Sequence, residues 1–165
     1  MNGDAATSAA DLAFRARALA QAHPFSAAAY RIVNSAAAQE SRVQNPAEAG
    51  VWAAAAFTQG YCLRRVQETA EDVDVQVVES ATDEALACAA SEVALRIREG
   101  DADDETTAAL DLLVGSQVGN RVEQWSDDLN PNAVAELEQY LTWWVVKGYA
   151  LRQAETTKGS RSCES

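Results

Sequence analysis

Four arginines stand in two Arg-x-Arg pairs, Arg15 with Arg17 and Arg96 with Arg98. A guanidinium offers a planar fork of N–H donors, so two such pairs facing each other across a symmetry axis would clamp a phosphate or carboxylate bidentately. Each pair also falls toward the C-terminal end of a helix-forming stretch. There a cation complements the helix dipole and finds acids for surface pairing, which is the simpler account. Tyr61 and Tyr149 each follow a glycine and precede an arginine by three residues, Arg64 and Arg152, in the shared pattern G-Y-x-L-R at 60–64 and 148–152. Their hydroxyls could line a cleft and meet a ligand. The ordinary outcome at this spacing is local, with the arginine stem lying over the tyrosine ring of its own helix.

Other chemistry is poorly served. His23 is the only histidine, and it precedes Pro24 without any of the helical His/Glu spacings that hold a metal. Nothing around Cys62 lowers a thiol pKa, so a Cys62–His23 nucleophilic pair has no support beyond the residue types. Gly-rich phosphate loops, G-x-S-x-G and zinc-finger spacings do not occur. The acidic run 101–105 lacks calcium-loop spacing and reads as a solvated helix start. No catalytic residue, metal ligand or cofactor is therefore assigned, and a binding role is expected rather than an enzyme.

The formal charge of −12 surrounds the chain with a field that repels nucleic acid and anionic lipid and favours a basic partner. Cys62, Cys88 and Cys163 form an odd set without C-x-x-C spacing, so reduced thiols in a cytoplasmic protein are expected, the first two in the core. No apolar stretch reaches the roughly 20 residues that span a bilayer, and no membrane association is expected.

The elements that must position these side chains are helical. About a fifth of the chain is alanine and only three residues are proline, a composition that costs little side-chain entropy in a helix. At 165 residues one compact all-α domain is expected. After a frayed leader, a capping-box-like start at Ser8 and Asp11 opens the first helix, which His23-Pro24 ends. The second runs from Pro24 to about Arg42, and Asn45-Pro46 starts the third, to about Glu71. Residues 72–79, DVDVQVVE, alternate like a strand but have no second strand to pair with, and read as a connector. Ser80 and Asp83 open the fourth helix, ended by Gly100; the fifth runs to about Trp125; Asn130-Pro131 starts the sixth. A disordered tail is expected over 157–165.

An internal repeat runs through these elements. DLAFRAR at 11–17 matches EVALRIR at 92–98 in chemical type, Ile32-Val33-Asn34-Ser35 matches Leu113-Val114-Gly115-Ser116 at the same offset, and the two Asn-Pro pairs and the G-Y-x-L-R segments follow in order. Alanine-rich helices align cheaply, but Arg, Tyr, Gly and Asn-Pro are not generic helix filler. The expectation is a six-helix bundle of two tandem, pseudo-twofold-related three-helix repeats, 8–71 and 80–156, each covering the other's apolar face. The third and sixth helices would meet at the axis, with the small surface around Ala56 and Gly60 receiving Trp143 or Trp144. Gly148→Leu would then overpack the interface at a cost of about 1–3 kcal/mol.

Trp143 and Trp144 lie about 100° apart around their helix, so both are buried only if it is widely covered. Trp144 is expected in the core. Trp143, if exposed, marks a partner surface or a homodimer interface. The expected function is a non-catalytic interaction or regulatory module whose acid-rimmed helical surface docks a basic or amphipathic segment of another protein. The alternative is a small-molecule-binding bundle, its cavity between the halves lined by Trp144, Tyr61 and Tyr149 and gated by the repeated arginines.

Overall fold

The computed structural model describes residues 2–22, 25–43, 49–70, 82–124 and 131–156. These form six helices: α1 (Asn2–Ala20), α2 (Ala27–Val43), α3 (Ala49–Ala70), α4 (Asp83–Arg98), α5 (Asp104–Gln124) and α6 (Pro131–Thr156). There is no strand among the described residues. The connector at 72–79, the tail, His23-Pro24, Asn45-Pro46, Trp125 and Asn130 lie outside them.

Local chemistry sets several of the boundaries. Ser26 caps α2, its Oγ accepting from the Ala29 amide at 3.1 Å, so the helix begins at Ala27 rather than at Pro24. Thr82 caps α4 in the same way, accepting from the Ala85 amide at 3.0 Å, in place of the expected Ser80. The Asp103 carboxylate receives the Thr106 amide at 2.7 Å, and the carboxylates of Asp104 and Glu105 then complement the dipole of the first turn of α5. Gly100 ends α4 with φ +103°; the Gly100 amide bonds to the Ile97 carbonyl and that of Asp101 to the Arg96 carbonyl, the paired bonds of a Schellman turn. The leader departs from expectation. Asn2–Thr7 is a continuation of α1, and Ser8 sits inside the helix rather than at its cap.

The helix order in space follows from which faces are apolar. α3 and α6 make the broadest contact; α1 and α2 pack on α3, α4 and α5 pack on α6, and α1 also lies against α5. The helically spaced apolar residues of α3 (Ala53, Ala56, Phe57, Leu63) and α6 (Leu137, Leu141, Trp144, Val145, Leu151) are buried. Trp144 packs against Phe57 and Tyr140, with ring centroids 6.1 and 6.4 Å away.

The α3–α6 crossing is made by backbone. A Cβ placed on Gly60 would stand 1.9 Å from the Val145 carbonyl oxygen, and one on Gly148 would stand 1.9 Å from the Phe57 carbonyl oxygen. Gly60 thus receives the main chain of α6, not the indole of Trp143 or Trp144 as expected, because the close approach leaves no room there for a ring.

Candidate functional site

The tight crossing brings polar side chains from both central helices into one buried network. Tyr61 donates its hydroxyl proton to Glu155 Oε1 at 2.5 Å and accepts from Arg152 Nη1 at 3.4 Å. Arg152 holds Glu68 in a fork, Nε to Oε1 at 3.0 Å and Nη2 to Oε2 at 3.0 Å, and also approaches Glu155 at 3.4 Å. Ser26 Oγ donates to the other Glu155 oxygen. On the other side of the crossing, Tyr149 donates to Gln67 Oε1 at 2.5 Å and accepts from Arg64 Nη1 at 3.5 Å, while Gln67 Nε2 donates to Thr106 Oγ1 at 2.8 Å.

The tyrosine–arginine pairs are exchanged between helices. Arg64 of α3 lies over the Tyr149 ring of α6 at 5.9 Å, and Arg152 of α6 lies over the Tyr61 ring of α3 at 5.7 Å. The local, same-helix pairing suggested by the i, i+3 spacing is overridden because the helices are close enough for each ring to meet the opposite guanidinium.

Burial shapes the protonation of these groups. It raises the Tyr61 hydroxyl above its ordinary value, and the Glu155 carboxylate adds to the shift. It also raises Tyr149, partly opposed by Arg64. For Arg152 burial pulls downward, but the Glu68 carboxylate and the Tyr61 hydroxyl outweigh it, so the guanidinium stays charged. Burial pushes the Cys62 thiol up to about 12, the reverse of what a nucleophile needs. Cys88, expected as a reduced core thiol, lies instead on an exposed face of α4 and is disulfide-bonded.

The two Arg-x-Arg pairs stand on helices with different neighbours, α1 against α3 and α5, α4 against α6 and α2. Arg15 pairs with Asp11 one turn earlier on the surface at 3.6 Å, and Arg17 is half-buried in the last turn of α1. Arg96 and Arg98 are exposed in the last turn of α4. Arg98 stands over the Trp143 ring at 5.4 Å; Arg96 shares a small cavity with Arg64 and Tyr149.

Trp143 is half-buried in a groove of about 810 Å³ formed by α4, α5 and α6. Ile97, Leu110 and Val146 give the groove an apolar lining, and Asp111, Glu136 and Glu138 add carboxylates against the single guanidinium of Arg98. Lys147 stacks on the Trp144 ring at 4.1 Å, its amine pulled below the ordinary lysine value by burial. Trp144 and Lys147 border a separate cavity of about 140 Å³ with Phe57 and Ala90.

Sequence reasoning found Tyr61, Arg64, Tyr149 and Arg152 but missed Gln67, Glu68 and Glu155, which complete the network. A signal was present. The repeat extends three residues past each arginine, to Gln67 and Glu155, on the 4,3 spacing from Gly60 and Gly148 that keeps one helical face.

Among the described residues no group of three His, Cys, Asp or Glu is placed to hold a metal, and no helix is long and apolar enough to cross a membrane. The sequence matches no protein-family model, and no curated protein or solved structure is detectably similar to it.

Proposed function

We propose that the protein docks a basic, amphipathic helical segment of another protein in the α4–α5–α6 groove, acting as a non-catalytic interaction module. The observation that carries this reading is the partly buried indole of Trp143 set among apolar side chains, with three carboxylates and one guanidinium lining the same groove. An aromatic anchor in an apolar depression supplies binding energy, and the excess negative charge selects a cationic partner and speeds its approach. The buried tyrosine–arginine network, by contrast, has its tyrosines, its carboxylates and Arg152 engaged with one another and serves to fix how α3 and α6 cross.

A matched pair of model helices tests the proposal, one carrying leucine and lysine, the other leucine and glutamate. The lysine helix is expected to shift the fluorescence of Trp143, measured as the difference between the native protein and Trp143→Phe. Its binding should weaken with salt and be lost in the double variant Asp111→Lys, Glu136→Lys. Equal binding of both helices, or binding indifferent to that double variant, would overturn the reading.

We further propose that the chain descends from duplication of a three-helix unit, with the halves related by a pseudo-twofold axis through the α3–α6 crossing. Support comes from the reciprocity of that crossing: Gly60 meets Val145 while Gly148 meets Phe57, and each tyrosine pairs with the other half's arginine. Each of these pairs of positions differs by the same register, as do Gln67 and Glu155. Isologous contacts of this kind are the mark of a twofold interface.

A further inference from the structure

A cavity of about 190 Å³ lies where the α4–α5 turn meets α3 and α6, apart from the Trp143 groove, and its lining includes Arg64, Arg96, Asp101, Asp103 and Tyr149. Arg64 and Arg96 both line this space, yet neither has a carboxylate within ion-pair distance among the described residues. Arg64 is the deeper of the two, and its buried Nε has no hydrogen-bond partner. A buried donor left unmet costs free energy unless something accepts from it. The Asp101 and Asp103 side chains are exposed in the turn, so the cavity presents cations from α3 and α4 and anions from the loop.

We infer that this cavity binds a small zwitterion of amino-acid size, its carboxylate received by Arg64 and Arg96 and its ammonium by Asp101 and Asp103. A simple anion would be attracted by the arginines but repelled by the two aspartates, and a simple cation would meet the reverse. Only a molecule carrying both charges uses both sets. The volume suits it too: at about 30 Å³ per water the cavity equals roughly six waters, enough for a small amino acid. The Schellman turn at Gly100 fixes the backbone of Asp101, and the cap on the Thr106 amide holds the Asp103 carboxylate, so the anionic side is preorganised.

Titration calorimetry on the full chain tests this with glycine, L-alanine, L-serine and L-aspartate as zwitterions, and acetate, phosphate and ethylammonium as single-charge probes. At least one amino acid should bind, and none of the single-charge probes should match it. Arg96→Gln and Asp101→Asn alter exposed side chains, so both variants should fold normally by circular dichroism while each weakens that binding roughly tenfold, the worth of one charge-assisted contact. Acetate or phosphate binding as tightly as every amino acid, no binding by any amino acid, or binding unmoved by both substitutions would each overturn the inference. None of these results bears on Trp143, so the groove proposal stands or falls separately.

Discussion

Gly148→Ala is the sharpest probe of the architecture, because one methyl group is added where two backbones touch. The new Cβ would lie 1.9 Å from the Phe57 carbonyl oxygen and 2.7 Å from its carbonyl carbon. Ordinary contact begins near 3.4 Å, so α6 must withdraw by about 1.5 Å, and the obstacle is main chain that no rotamer change can move aside. Overpacking of this kind typically costs about 1–3 kcal/mol, and the rigid obstacle argues for the upper end. The alanine returns up to about 1 kcal/mol through helix propensity. The longest bonds of the crossing, Arg152 to Tyr61 at 3.4 Å and Arg64 to Tyr149 at 3.5 Å, would break first and add to the loss. The expected net change is a destabilisation of roughly 2 kcal/mol, or a melting temperature lower by roughly 4–8 °C in a protein of this size. Urea unfolding measures it directly. Gly115→Ala and Gly119→Ala are the controls, since a Cβ at either position in α5 meets nothing within 4 Å, and each should stabilise by about 0.5–1 kcal/mol. Gly60→Ala should cost about as much as Gly148→Ala if the crossing is reciprocal. If Gly148→Ala stabilised the protein as Gly115→Ala does, the backbone contact, and with it the twofold reading, would be wrong.

Two further outcomes follow from the buried polar groups. Glu68→Gln leaves the Arg152 guanidinium, whose side chain is 10% exposed, with half its carboxylate partners, and should cost about 3 kcal/mol in urea unfolding; by contrast, Asp83→Asn, which weakens the exposed pair with Arg31, should leave the unfolding midpoint nearly unmoved. The Cys62 thiol has a folded pKa of about 12 against an ordinary 9.0, so the native state holds its proton longer than the unfolded chain does. Its contribution is complete below pH 9 and is lost as pH rises toward 12, at up to about 1.4 kcal/mol per pH unit. Urea midpoints taken across that range should fall less steeply in Cys62→Ala than in the native protein, and parallel slopes would show that the thiol is not buried as described.

The sequence alone determined the helices and their inward faces, because those depend on spacing and local chemistry. Leu86, Ala89, Ala90 and Val93 recur at helical intervals and are buried, Gly100 ends α4 as a residue free to take positive φ, and acids open α5 where the dipole favours them. It also marked the residues of the crossing, since Gly60-Tyr61 and Gly148-Tyr149 break an otherwise alanine-rich background in the same way twice. What each of them touches was decided only in three dimensions. Tyr61 could have met Arg64 on its own helix; it met Arg152 because two glycines let α3 and α6 approach until the cross-helix guanidinium was within reach of the ring. The same closeness drew Glu68, Gln67 and Glu155 out of water, where a one-dimensional reading treats them as surface residues. Whether Trp143 lies in the core or in a groove, and whether Arg96 faces solvent or a cavity shared with Arg64, likewise depends on which helices flank α6, and long-range packing sets that where spacing along the chain cannot.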